Sequence, residues 1–339
     1  MQIPDVTGFF DEATFTISYV VTDPATLQCA VIDSVLDYDP ASGRTNTQSA
    51  DRIIAHIRER GLTCQWIIDT HVHADHLTAA PYIRDQVGGT MAIGDQIPTV
   101  QTVFGEIFNE DQRFARDGRQ FDHLFGDGET YKLGRIDAKA MSTPGHTPAC
   151  MSHLIGDALF VGDTIFMPDF GTARCDFPGG DAGTLYDSIQ MLFALPDQTR
   201  MFLCHDYKAP GRDTYVWETT VGEQKRANIH VRDGLTREDF IAMREARDAT
   251  LSMPRLILPS VQINMRAGEM PPEEDNGKSY MKVPINALEA PVSAPSRGGD
   301  YGYSCTGTGF FGFTANQRSR YQPDRRPGLL QPCDQSPGW

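Results

Sequence analysis

The chain has 339 residues, with 45 Asp and Glu against 30 Lys and Arg and a net charge of −15. That balance argues against nucleic acid or an anionic membrane surface as the main partner and leaves small molecules. The start, MQIPDVTGFFDEATF, lacks a basic stretch followed by an apolar one, and no apolar run is long enough to span a bilayer, so a soluble protein of the cytoplasm is expected.

The length can bury a sizeable core, as one large domain or two small ones. Seven cysteines lie scattered without a Cys-x-x-Cys pair, so buried free thiols are expected and neither a disulfide framework nor a zinc knuckle is implied.

In chain order, residues 14–21 and 29–36 are rich in Val, Ile and aromatic residues around an Asp23-Pro24 break and read as a β-hairpin. Residues 49–60 carry Ile53, Ile54 and Ile57 on one helical face, stopped by Gly61. Residues 64–69 form a short, nearly continuous apolar strand of the kind covered on both faces. Helical spacing resumes over 77–87 and closes at Gly88-Gly89, followed by a strand at 90–93.

Residues 97–125 are polar with interspersed Phe and carry no clear element; a lid or an oligomer contact is the reading for them. Strands are expected over 129–133, 136–142, 150–155 and 158–161, with Gly156-Asp157 as a hairpin turn. A helix over 184–194 and a buried strand over 201–204 follow. Residues 236–251 read as a helix opened by a Thr-x-x-Asp cap. After Leu288 aliphatic residues nearly vanish and Gly, Pro, Ser and Arg dominate, so residues 289–339 are expected to be a disordered tail or sequence added or shifted out of frame.

The chemistry concentrates in Thr70-His71-Val72-His73-Ala74-Asp75-His76. Neutral imidazoles and a carboxylate suit zinc, iron and related ions, and an irregular loop can turn several of them to one point where a helix could not. The bland alternative is a polar loop whose histidines bond to backbone. Downstream, Thr143-Pro144-Gly145-His146-Thr147, Gly162-Asp163-Thr164 and Cys204-His205-Asp206-Tyr207 each put a potential ligand just after a short apolar run. Alone, each would be an ordinary turn. In this order behind the first motif, they read as further ligands. Cys150, Cys175 and Cys204 lie close to these motifs, but small core thiols are common, and a catalytic cysteine is the lesser reading.

The order His-x-His-x-Asp-His, then His, Asp and His, resembles the metallo-β-lactamase superfamily from Gly8 to Arg226. The resemblance implies an α/β protein with an αββα sandwich. Residues 1–288 would be the catalytic domain, with a core over 8–226 and a C-terminal helical extension over 236–288.

Two chemistries follow from the resemblance. In hydrolytic members His71, His73 and His146 would hold one zinc, Asp75, His76 and His205 a second, and Asp163 would bridge. Such a site supplies hydroxide for a thioester, lactone or lactam carbonyl. In persulfide dioxygenases the carry-over gives one Fe(II) on His71, His146 and Asp163, with His73, Asp75, His76 and His205 orienting ligands and waters.

The segment after Asp163, TIFMPDFGTARCDFPGGD, favours the second. Arg174-Cys175-Asp176-Phe177 resembles the Arg-x-Asp-Phe element of those dioxygenases, and His205-Asp206-Tyr207 their His-Asp-Tyr element. Glyoxalase II has an aromatic-rich Gly-Arg-Phe-Phe-Glu type sequence there, and its glutathione-binding helical domain is not recognisable here. A longer insert, MPDFGTA, departs from the pattern and resembles one bacterial subgroup. The implied activity is oxidation of glutathione persulfide to sulfite with dioxygen. Arg174 would then hold a substrate carboxylate and Tyr207 donate a hydrogen bond. The alternative for Arg174 is an ion pair with Asp169, Asp176 or Asp181. A metal-free binding protein on the same scaffold would have lost His71 or Asp163, and both are present.

Overall fold

Two apolar sheet faces need each other, and the chain supplies one from each half. The computed structural model describes residues 3–288. The first half runs β1 (Asp5–Asp11), β2 (Thr16–Thr22), β3 (Gln28–Ile32), β4 (Val35–Asp39), β5 (Arg44–Asn46), α1 (Gln48–Glu59), β6 (Thr63–Ile68), β7 (Leu77–Thr78), α2 (Ala80–Val87), β8 (Thr90–Gly94), α3 (Ile97–Ile107) and β9 (His123–Phe125). The second runs β10 (Thr130–Leu133), β11 (Ile136–Ser142), β12 (Met151–Ile155), β13 (Ala158–Phe160), α4 (Ala182–Phe193), β14 (Arg200–Phe202), β15 (Glu218–Thr220) and α5 (Val221–Ala227). Helices α6 (Arg237–Asp248) and α7 (Ile257–Asn264) follow.

One six-stranded sheet has the order β1-β2-β3-β6-β8-β9, the other β10-β11-β12-β13-β14-β15, and β5-β4-β7 form a small third sheet. Ile17, Tyr19, Ile68 and Phe125 of the first sheet share a core with Ala138, Ile155, Phe160 and Phe202 of the second. Burial of such side chains contributes about 1.5–3 kcal/mol each. Outside the first sheet, Ile53, Ile54 and Ile57 of α1 pack with Ile83 of α2, Val100 of α3 and Val261 of α7. Outside the second, Leu185 and Ile189 of α4 pack with Phe240 of α6. The layers are therefore helix, sheet, sheet, helix, an αββα sandwich.

Differences from the sequence expectations have local causes. The strand expected over 29–36 breaks at Asp33, whose φ of 51° turns the chain into the small sheet. The helix expected from 77 starts later, because Leu77 and Thr78 first pair with β4. The unassigned stretch 97–125 contains α3 and β9, and β1, β15, α5 and α7 were not anticipated. The tail over 289–339 lies outside the described residues. Among those described, no helix is long and apolar enough to cross a membrane.

The cap read from sequence on α6 forms in full: Thr236 Oγ1 accepts from Asp239 N at 3.1 Å, and Asp239 Oδ2 accepts from Thr236 N at 3.3 Å. Thr236→Ala is expected to lower unfolding stability by about 1 kcal/mol, read as a shift in denaturant midpoint; an unchanged midpoint would show that the cap carries no stability.

Candidate metal centre

Four strand exits build the site. His71, His73, Asp75 and His76 follow β6, His146 follows β11, Asp163 follows β13 and His205 follows β14. The last of these loops is tied to the start of β2, since Ile17 N donates to Cys204 O at 2.7 Å. Two glycines permit the close approach. A Cβ on Gly145 (φ 135°) would lie 2.4 Å from Leu185 N, and one on Gly162 (φ 51°) would lie 2.5 Å from Thr70 Oγ1.

The site residues identified from sequence converge. His71, His146 and Asp163 offer donor atoms within 4.8 Å of one another, as do His73, Asp75 and His76. Asp163 Oδ2 faces His71 Nε2 at 3.7 Å and His146 Nε2 at 3.6 Å, and its Oδ1 faces His205 Nε2 at 3.3 Å. Asp75 Oδ2 lies 3.3 Å from His205 Nε2 and 3.2 Å from His76 Nδ1.

Hydrogen bonds at the far ring nitrogens fix these directions. His146 Nδ1–H donates to Arg174 O at 2.8 Å. His205 Nδ1–H donates to Phe15 O at 3.2 Å.

Asp33 organises His71 and His73 and was not singled out from the sequence, where it lies inside the strand expected over 29–36. Its Oδ1 accepts from Thr70 N at 2.7 Å and from His73 Nε2–H at 2.9 Å. Thr70 Oγ1 donates to Asp33 Oδ2 at 3.0 Å and so accepts from His71 Nδ1–H at 3.1 Å. Only the Thr-His pair at the head of the motif hinted at this relay.

The donor set fits a cation. His71 Nε2, His73 Nδ1, His76 Nε2, His205 Nε2 and Asp163 Oδ1 are all buried without a hydrogen-bond partner, and such groups cost about 1–3 kcal/mol each when left so. Imidazole nitrogens and carboxylates are the donors that divalent zinc and iron take.

Without a cation, burial lowers His71, His76 and His146, keeping them neutral as metal donors must be. Burial also lowers His205, but Asp163 and Asp75 outweigh it and hold the ring up at about 10. Burial raises Asp33, yet His73, helped by His71 and the Thr70 N–H, draws its carboxyl down to about 2.

The described cysteines are free and buried. Burial pushes Cys150 up to about 12 and Cys204 well above its ordinary value, so neither supplies a thiolate near neutral pH.

Arg174 and Tyr207 lie beside the cluster, in different settings. The Arg174 guanidinium is buried and forks onto Asp176 with two bonds of 2.6 Å, and its Nη1 donates to Ser252 O at 2.6 Å. It also packs over the Phe177 ring at 5.1 Å. Three of its five N–H groups are thus taken, which is the ion pair that the sequence left as its alternative. Tyr207 stacks on the His205 ring, centroids 5.6 Å apart and planes at 15°, with Phe170 beyond it. Asp206 is consumed by a fork from Arg212.

The comparisons with known proteins agree with this geometry. The model of the metallo-β-lactamase superfamily matches residues 14–205. A probable metallo-hydrolase of Burkholderia pseudomallei is 55% identical, over 84% of this chain and 99% of its own length. A β-lactamase hydrolase-like protein of Xylella fastidiosa is 52% identical over 85% of this chain, which spans 66% of that relative. The mitochondrial persulfide dioxygenase ETHE1 of Mus musculus is 29% identical over 78% of this chain and 88% of its own. Among solved structures, ETHE1 from Myxococcus xanthus superposes with a TM-score of 0.62 at 31% identity, covering 78% of this chain and 100% of its own.

Arg174→Ala removes one half of a buried pair and leaves Asp176 facing the gap. A loss on the order of 3 kcal/mol is expected, measured by denaturant unfolding, and a variant as stable as the parent would free Arg174 from a structural role.

Proposed function

The chain belongs to the metallo-β-lactamase superfamily, and from that premise we propose that it is a non-haem iron persulfide dioxygenase, oxidising glutathione persulfide to sulfite with dioxygen. The observation that carries this reading is the grouping of donors: His71, His146 and Asp163 form one convergent set that excludes His73. That set is a two-His, one-carboxylate triad, which leaves coordination positions open for substrates. His73 turns its Nε2 to Asp33, and in this reading it steadies the loop without touching iron. The likeness to ETHE1 of Myxococcus xanthus supports the same reading.

When bound, ferrous iron supplies the redox chemistry that joins dioxygen to the terminal sulfur. One persulfide, one dioxygen and one water give one thiol, one sulfite and two protons. The sulfur loses four electrons and dioxygen accepts four. The chain's part is to position and to exclude water. Asp33, through Thr70, keeps the Nδ1 proton on His71 and so presents Nε2 as a donor. The Arg174 carbonyl does the same for His146. His205 orients Asp163 from its other oxygen. Phe177 against His146 and Tyr207 against His205 wall the cluster with apolar rings. In this reading Tyr207 is the residue for a hydrogen bond to substrate, and Arg174 acts on substrate only through its remaining N–H groups. The protein works in the cytoplasm on small molecules.

A second reading is a dinuclear zinc hydrolase acting on a thioester, lactone or lactam. One geometric observation favours it: Asp163 directs Oδ2 at His71 and His146 and Oδ1 at His205, as a bridging carboxylate would. The names of the relatives from Burkholderia and Xylella point the same way.

The two readings part at His73 and His205. Under the dioxygenase reading, the double variant His73→Ala with His205→Ala still binds close to one iron per chain. Its oxygen uptake on glutathione persulfide falls about 10- to 100-fold. Loss of all metal from the double variant, together with cleavage of a glutathione thioester by the parent, would establish the hydrolase instead.

A further inference from the structure

The loop that carries the donors is held by a helix outside the segment matched to the superfamily. Asn264, on α7, is 2% exposed. Its Nδ2 donates to the carbonyl oxygens of His73 at 2.9 Å and His76 at 2.8 Å, and its Oδ1 accepts from Thr78 N at 2.9 Å. One amide thus spends all of these bonds on the backbone of residues 73–78. Those carbonyls face inward where strand pairing cannot reach them, and a buried carbonyl without a donor would cost about 1–3 kcal/mol.

Helix α7 is fixed in turn. Gln101 Nε2 donates to Met265 O at 3.0 Å. The chain then turns through Ala267 (φ 57°) and Gly268 (φ 89°), and a Cβ on Gly268 would lie 2.5 Å from Pro81 Cδ. The turn after α7 therefore packs on the start of α2, just beyond the stretch that Asn264 holds.

A buried amide can also serve the core alone, and the same helix contains one that does. Gln262 Nε2 donates to Leu258 O at 2.7 Å and Lys282 O at 3.0 Å, and its Oε1 accepts from Lys282 N at 2.8 Å. Its bonds stay within the C-terminal segment. Asn264 differs in direction: its side chain bonds only to backbone of residues 73–78, two of the three bonds reaching the donor loop.

We propose that Asn264 is a positioning residue for the metal centre, setting the loop conformation from which His71, His73 and His76 project. The inference rests on the metal-centre reading above but not on which metal is held. Because His71 sits on that loop and not on α7, loosening the brace shifts it relative to His146 and Asp163 and weakens capture of an ion that needs all three together.

The test uses cobalt(II) as the probe, with affinity from chelator competition and donor geometry from the visible absorption bands. Asn264→Ala removes all three bonds. Asn264→Asp keeps the shape and the acceptor for Thr78 N but turns an oxygen toward the two carbonyls, so it serves where the alanine variant does not fold. Both are expected to bind cobalt about 10-fold or more weakly, with altered bands, and Gln262→Ala is expected to match the parent in both readouts. A folded Asn264 variant with parental affinity and spectrum would overturn the inference, as would an equal loss in Gln262→Ala. A parent protein that takes up no cobalt would overturn the metal-centre reading itself.

Discussion

A buried carboxylate with no route to solvent must be answered by donors, and in this fold the answer to Asp33 is the metal loop. It takes Thr70 N and His73 Nε2 on one oxygen and Thr70 Oγ1 on the other. Through that hydroxyl it reaches His71. Two imidazoles thereby receive defined faces before any ion arrives. The strand break at Asp33, with its φ of 51°, directs the carboxylate under the loop instead of along the sheet.

Around that anchor the sandwich acts as a frame. Strands β6, β11, β13 and β14 deliver their exits to one place, and their cores are shared across two sheets or with the outer helices. Loops can then be irregular without being loose, since each imidazole of the site has one ring nitrogen tied to backbone, hydroxyl or carboxylate. The cost falls in part on the site itself, where five buried atoms of His71, His73, His76, Asp163 and His205 have no hydrogen-bond partner. That pattern is what a cation site requires, and a purely structural histidine cluster would not retain it.

What is written locally is legible in the sequence, and what is written across the chain is not. The motif at 70–76, the three later ligand loops, α1 with its isoleucine face and the Thr236 cap all depend on neighbours a few residues away. Asp33 and Asn264 do not: the hydrogen-bond partners of their side chains lie 37 or more residues distant. Strand β1 interrupts its apolar pattern with Gly8, whose lack of a side chain makes room for Trp217, 2.7 Å from where a Cβ would sit. Helix α7 contains Pro259, which its first turn tolerates but which reads as a breaker out of context. Arg174 could be recognised as important but not for what, because a fork to Asp176 and a grip on a substrate carboxylate ask for the same side chain.

The donor geometry accommodates both readings of the chemistry through Asp163, and the difference lies in how many ions the chain holds and which. The direct measurement is metal content per chain of the unmodified protein from cells supplied with both iron and zinc, paired with oxygen uptake and sulfite formation on glutathione persulfide. The account predicts close to one iron per chain, with oxygen consumed and sulfite formed in equal amounts. Two zinc ions per chain, with no oxygen uptake and rapid cleavage of a glutathione thioester, would contradict it.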